Sequence, residues 1–292
     1  MISSKNSYDC CFLVLLYGKS ISESKTLQSI LNSEVEFNNC KLVIWNNGPR
    51  PLSCINTESF SNAGLSVEVI ETLENRSLSK IYNEFTFKNK SNKYIYLDDD
   101  STLSSEYLQD VKTMKYTDLA VPLIYSKGEC VGPTVDGSVI NKKRKIRQEE
   151  QLFAIGSGIT ISDSLKTKFI SVYGDLFDQK FWFYGVDTSF MYRLDSLKKH
   201  FQIMTISGFE HSLSRREEGT EEQNKFRMNE RNIANALLIR NYGKCKNQTI
   251  QIVVLILKMM CRYLMSPKSN RNPFTFIKVL VQNTHPKNKK NI

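Results

Sequence analysis

Short apolar runs, each closed by a turn or polar signal and followed by a segment with helical spacing, set the rhythm of the first hundred residues. Asp9 to Tyr17 reads as a buried strand closed by Gly18, since so short an apolar run suits a sheet covered on both faces. Ser20 or Ser22 can cap a helix with Leu27, Ile30 and Leu31 at helical spacing. Lys41 to Trp45 is a second strand, ended by the turn signal Asn46-Asn47-Gly48-Pro49, and Leu65 to Ile70 a third. Ser77 is placed to cap a helix with Leu78, Ile81, Tyr82 and Phe85 on one face, and Lys93 to Leu97 is a fourth strand. Strand and helix in alternation predict an α/β fold with a mostly parallel sheet and helices on both faces.

Beyond a helix near Ser104 to Met114 and a strand from Asp118 to Tyr125, the pattern loosens. Ser126 to Gln151 lacks a core pattern and carries the basic run Asn141 to Arg147, so it reads as a solvated charge run in a lid, binding loop or insert. Phe153 to Ile161 alternates like a strand interrupted by Gly156-Ser157-Gly158, small residues that permit close approach of a ligand. The aromatic run Phe181-Trp182-Phe183-Tyr184 leads through Gly185 to a helix carrying Phe190, Met191, Leu194 and Leu197. His200 to Ser207 is a further strand, leaving His211 in the loop that also holds Arg215 and Arg216.

The 292 residues can bury a sizeable core, and 40% hydrophobic content excludes wholesale disorder. Seven cysteines without a C-x-x-C pair read as reduced thiols in a cytosolic protein. The polar stretch Met1 to Asp9 lacks the regions of a signal peptide, and no apolar run reaches the roughly 18–20 residues of a membrane span. The net charge of +10 is unevenly spread: residues 244–292 hold ten of the forty Lys and Arg and no acid, so thirty bases face thirty acids over 1–243. A neutral body argues against nucleic-acid binding.

Chemistry concentrates where the fourth strand breaks into Asp98-Asp99-Asp100. Three adjacent carboxylates repel one another unless a hard divalent metal, a ligand or full solvation compensates them. In a parallel sheet, ligands sit outside the carboxyl ends of the strands, where Tyr17, Asn46, Asn47 and the three acids would converge. A ring to stack on a base, amides for base or ribose edges and an acid-held metal suit a nucleotide diphosphate. Taken singly, Tyr17 also reads as a packing residue and Asn47-Gly48 as an ordinary turn. Asp187 reads either as a helix cap or as a general base in an aromatic wall.

Tyr17-Gly18, Trp45-Asn46-Asn47-Gly48-Pro49, Asn75-x-x-x-Ser79-x-x-x-Asn83, Leu97-Asp98-Asp99-Asp100, Gly156-Ser157-Gly158 and Tyr184-Gly185-Val186-Asp187 occur in the order seen in glycosyltransferase family 2. From Asp9 to Gly243 the chain resembles that family, most of all its rhamnosyltransferase-like members that build bacterial O-antigen or capsule. The resemblance implies the GT-A fold over residues 1–243 and inverting transfer from a nucleotide-diphosphate sugar, dTDP- or UDP-linked, to a lipid-linked saccharide. It places Tyr17, Asn46, Asn47, Ser79, Asp98, Asp99, Arg215 and Arg216 on the donor, with Asp98 by the base and ribose. Asp100 and His211 would hold Mg²⁺ or Mn²⁺, Asp187 would be the catalytic base, and Gly156, Ser157, Gly158 and Trp182 would face the acceptor. Asn46 stands where the family often has an aspartate, and Val186 where many members have a glutamate.

A sugar nucleotidyltransferase is a rival, but Tyr17-Gly18-Lys19-Ser20 lacks the glycine-rich phosphate loop it would need. A non-enzymatic nucleotide- or membrane-binding protein is another, and leaves the ordered acids unexplained. Residues 244–292 form an expected basic tail whose helix, Lys244 to Leu264, is apolar around most of its circumference. That face either docks on the body or lies on an anionic cytoplasmic membrane leaflet, which would make the protein peripheral on the inner face of the plasma membrane.

Overall fold

A computed structural model describes residues 7–53, 55–212, 219–243, 248–265 and 272–289. Four parallel strands, β1 (Cys10–Leu16), β2 (Cys40–Asn46), β3 (Leu65–Glu71) and β4 (Lys93–Asp98), lie in the order β3-β2-β1-β4. Both faces are covered. Cys11, Leu13, Val43, Trp45, Tyr94 and Tyr96 point one way, while Cys10, Phe12, Val14, Leu42, Ile44, Ile95 and Leu97 point the other. That is why these strands read as unbroken apolar runs rather than alternating ones.

The connecting helices are α1 (Lys25–Leu31), α2 (Glu58–Asn62) and α3 (Leu78–Lys88). Ser24, rather than Ser20 or Ser22, caps α1, its Oγ accepting from Leu27 N at 3.2 Å. Ser20 and Ser22 instead bond to each other, and Ser20 also to Glu23. α3 buries Ile81, Tyr82 and Phe85, and Phe85→Ala there would cost about 3–5 kcal/mol. Ser77, at its N-terminus, makes no capping bond and donates instead to the Phe181 carbonyl.

The rest of the sheet extends past β4. A two-residue strand, β5 (Ser101–Thr102), leads to α4 (Ser105–Thr113), capped by Ser104, and then to β6 (Leu119–Ser126). The expected charge run is a meander of short strands: β7 (Glu129–Gly132), β8 (Thr134–Val135), β9 (Ser138–Val139) and β10 (Arg144–Lys145). It is anchored by buried Glu150, which takes both guanidinium nitrogens of Arg144 at 2.7 and 3.0 Å. β11 (Leu152–Phe153) joins β8 and β9 in a small sheet, and β12 (Thr160–Ser162) enters the main sheet antiparallel to both β4 and β6. The run expected as one interrupted strand therefore spans two sheets, its glycines making the crossing.

α5 (Asp163–Tyr173) and α6 (Val186–Leu197) cover one face, and β13 (Ile203–His211) runs parallel to β6. This strand is longer than its pattern predicts, because a bulge between Ile206 and Phe209 carries pairing onward to His211. Gly208 permits the bulge, since a Cβ there would lie 2.0 Å from the Leu123 carbonyl oxygen. His211 is thus a strand end facing Ser101, not a loop residue.

α7 (Glu221–Tyr242) opens with a capping box from Thr220 and Gln223. α8 (Gln248–Met265) and α9 (Pro273–Gln282) complete the helices. Phe276 and Val279 of α9 are fully within the core, and Asn232, Arg240 and Asn241 of α7 bond to the Asn272 carbonyl, the Leu280 carbonyl and Asn283. Residues 272–289 therefore pack as part of the body, so the expected division at 243 does not mark a break in packing.

Candidate active site

The strand order reverses at β1, with β2 and β3 added on one side of it and β4 on the other, and the site lies at that switch point. Asp98 ends β4, Asp100 follows it, and His211 arrives from β13. Their ligand atoms lie within 4.8 Å of one another. His211 Nδ1 is 3.3 Å from Asp100 Oδ1, and its Nε2 is 3.8 Å from Asp98 Oδ2. Desolvation, then the charges of Asp100, Asp99 and Asp187, pushes the Asp98 carboxyl up to about 8. Burial and Asp99 raise Asp100 as well, against the opposing pull of His211.

Such a cluster is short of positive charge, and a divalent cation fits it by two tests. Asp100 Oδ1 is a buried oxygen without a hydrogen-bond partner. The donor set of two carboxylates and one imidazole also suits a hard to borderline ion such as Mg²⁺ or Mn²⁺.

Three hydroxyl groups set this geometry, and of these only Ser157 carried a signal in the sequence. Ser101 Oγ lies 2.9 Å from His211 Nδ1 and 3.3 Å from Ser157 Oγ, which in turn donates to no acid but accepts from Asp98 N at 3.1 Å. Thr26 Oγ1 donates to the Asp98 carbonyl and accepts from Ser101 N, tying α1 to the acidic turn. Asp99 points away from the cluster, paired with Lys19 at 2.5 Å and accepting from Tyr17 N at 3.2 Å. It fixes the loop after β1, and Tyr17 itself stands half exposed at the rim.

Several residues expected to touch ligand are instead consumed within the chain. Asn46 is buried, donating to the Arg50 carbonyl and Glu71 and accepting from Gly48 N. Asn47, equally buried, accepts from Thr72 Oγ1 and Arg76 N and donates to the Arg76 carbonyl. Both hold loops around the site, because a buried amide must bond to whatever encloses it. Ser79 is buried and donates to the Phe181 carbonyl, and Ser157 sits under Asp98 rather than toward an acceptor. Gly158 is a packing position at φ 84°, where a Cβ would meet Phe209 at 2.6 Å. Arg215 and Arg216 lie outside the described residues.

Asp187 is the second residue of α6, after Gly185 in a left-handed N-cap conformation at φ 84°. It is not the cap, so that reading of it falls. Its Oδ1 accepts from Thr188 N at 2.7 Å, and its charge is felt at Asp98. Gly156 runs alongside, a Cβ on it lying 3.8 Å from that of Asp187. Trp182 is buried with its ring against His285 at 5.7 Å, while Phe183 and Phe226 remain exposed beside it. The charge of the candidate base Asp187 thus reaches the cation-seeking cluster.

No family model matches the sequence, nor does any curated protein. Among solved structures, residues 1–349 of S. aureus TarS are 11% identical, aligned over 89% of this chain and 73% of that one with a TM-score of 0.48. The same TarS segment in complex with UDP-GlcNAc is 13% identical over 89% and 74%, with a TM-score of 0.49. The mannosyltransferase PcManGT from Pyrobaculum calidifontis, in complex with GDP-Man and Mn²⁺, is 10% identical over 96% of this chain and 88% of its own, with a TM-score of 0.51. That last likeness extends over nearly the whole chain and is one of architecture: the fold is GT-A.

Proposed function

We propose that the chain is a metal-dependent, inverting glycosyltransferase that moves a sugar from a nucleotide-diphosphate donor to a saccharide hydroxyl. The observation that carries this reading is the cluster of Asp98, Asp100 and His211 at the sheet's switch point, with the charge of Asp187 near enough to act on it. Asp98, expected beside the base and ribose, lies within reach of Asp100 and His211, and the three would hold Mg²⁺ or Mn²⁺, whose charge would neutralise the departing diphosphate. Tyr17 offers a ring face for the base at the crevice rim. Asp187 accepts the proton of the acceptor hydroxyl as that oxygen attacks the anomeric carbon from the face opposite the leaving group. The likeness to rhamnosyltransferase-like enzymes favours a dTDP- or UDP-linked donor and cell-surface polysaccharide as the product, whereas PcManGT was solved with GDP-Man.

The test is a thermal-shift panel of UDP-, dTDP- and GDP-sugars with and without Mn²⁺. One nucleotide column should stabilise the protein, and only with the metal. A flat panel, or equal shifts without metal, would overturn the reading.

α8 supports a membrane location, which would fit a lipid-linked acceptor. Ile252, Leu255, Ile256 and Met259 pack toward the body, whereas Ile250, Val253, Val254, Leu257 and Leu264 form an exposed stripe on the other side. Tyr263, half-buried on the side of Ile252, Ile256 and Met259, meets exposed Phe274 of α9 at 6.1 Å. With ten basic residues and no acid over 244–292, the occupant that fits is the surface of an anionic bilayer. Among the described residues no helix is long and apolar enough to cross a membrane, so the contact would be interfacial.

A further inference from the structure

Residues 176–184 run straight into Gly185 and α6, so their course determines where Asp187 stands. α3 grips this stretch from one side. Asn83 accepts from Leu176 N at 3.1 Å and Phe177 N at 2.9 Å and donates to the Phe177 carbonyl at 2.8 Å. Ser79 donates to the Phe181 carbonyl, and Leu78 N to that of Trp182.

The other side is held by residues about a hundred positions later. His285 N donates to the Lys180 carbonyl at 3.1 Å, and Asn288 Nδ2 to the Gln179 carbonyl at 2.8 Å. The His285 imidazole lies against the Trp182 indole, and Lys287 Nζ sits 5.5 Å from the same ring. His285 is itself fixed in one tautomer. Its Nδ1 accepts from Lys287 N, which can only donate, so Nε2 carries the proton and donates to Glu230 Oε2 at 3.2 Å. Histidine and glutamate are both buried, and Glu230 belongs to α7. A buried, oriented pair of this kind is costly to disturb, because either partner alone would be left unpaired.

We propose that Glu230, His285 and Asn288 form a latch that positions the acceptor-side wall, residues 179–184, and through it Asp187. They are positioning residues, and the inference rests on Asp187 being the base proposed above. Metal and donor are held elsewhere, by β4, β13 and the loop after β1, so the latch should govern turnover rather than donor binding. Misplacing a reacting group by about 1 Å can cost roughly 100-fold in rate.

The test compares wild type with His285→Ala and the milder Asn288→Ala. It measures amide hydrogen exchange over 177–187, titration with the nucleotide sugar that responds in the Mn²⁺ panel, and release of nucleoside diphosphate from it as the sugar passes to water. Exchange should rise about tenfold or more within 177–187 while β1 and β4 stay protected. Donor affinity should hold within about twofold while turnover falls about tenfold in His285→Ala and a few-fold in Asn288→Ala. Unchanged exchange in Asn288→Ala, exchange rising throughout the protein, or turnover and donor affinity falling together would overturn the latch. If wild type turns over no donor, the glycosyltransferase reading fails instead, and the exchange pattern alone still decides whether the latch exists. Should His285→Ala not fold, Asn288→Ala carries the test.

Discussion

Asp100 is the residue whose removal separates the cation site from the rest of the fold, because its buried Oδ1 has no hydrogen-bond partner to lose. Asp100→Ala is expected to abolish Mn²⁺-dependent donor binding, read by calorimetry, while the melting temperature stays within a few degrees of wild type or rises. Asp187→Asn should retain donor affinity and lose about 10²–10⁴ in turnover, measured as nucleoside diphosphate release, since that is the usual cost of removing a general base. The sequence singled out both acids as candidates, Asp100 as one of three adjacent carboxylates and Asp187 by its place after an aromatic run and by the resemblance. The roles of Asn46, Asn47, Ser79 and Ser157 were not, because a polar residue beside a site looks the same in sequence whether it faces ligand or is buried and satisfied by the chain. Ser101 and Thr26 offered no pattern at all, although Ser101 directly follows the acids.

At the scale of elements, continuous apolar runs identified β1, β2 and β4 to within a residue or two, since burial on both faces leaves no polar alternation to misread. Pairing that depends on partners far along the chain was hidden. The bulge at Gly208 that delivers His211 to the acids is set by contact with Leu123, and the basic run 141–147 looked solvated because its anchor, Glu150, lies outside it. The Arg144 hydrogen bonds, aided by Arg147, hold the Glu150 carboxyl well below its usual range, at about 2. A carboxyl depressed in the folded state adds stability above its unfolded pKa of about 4.3, and that contribution is lost as pH falls toward the folded value. Glu150→Gln should therefore melt several degrees below wild type at pH 7, given about 1.5–3 kcal/mol for hydrogen bonds to charged groups. The gap between the two proteins should close between pH 5 and pH 2.5 when followed by circular dichroism. A constant gap would show that the pair contributes no charge-dependent stability.

For the whole molecule, the integration of residues 272–289 into the body means that the membrane proposal is best tested on the exposed stripe of α8 rather than by deleting residues 244–292. Leu257→Glu places a charge in the middle of that stripe and touches nothing at the site. Full-length wild type should sediment with phosphatidylserine-rich liposomes at low salt, and the variant should remain in the supernatant with its Mn²⁺-dependent thermal shift intact. Equal sedimentation of both proteins would remove the membrane from the proposal.

The grip of His285 and Asn288 on Lys180 and Gln179 also has a consequence in time. A ribosome adding roughly 5–20 residues per second takes about 5–20 s to travel from Lys180 to His285. Once His211 has emerged, β1, β4 and the Asp98, Asp100 and His211 cluster can already be folded, while residues 179–184 still lack the bonds from His285 and Asn288. The nascent protein would then acquire the means to bind a donor before the means to use it. A stalled chain ending shortly after α7 should bind nucleotide with metal yet expose Trp182 to quenchers that the finished protein excludes.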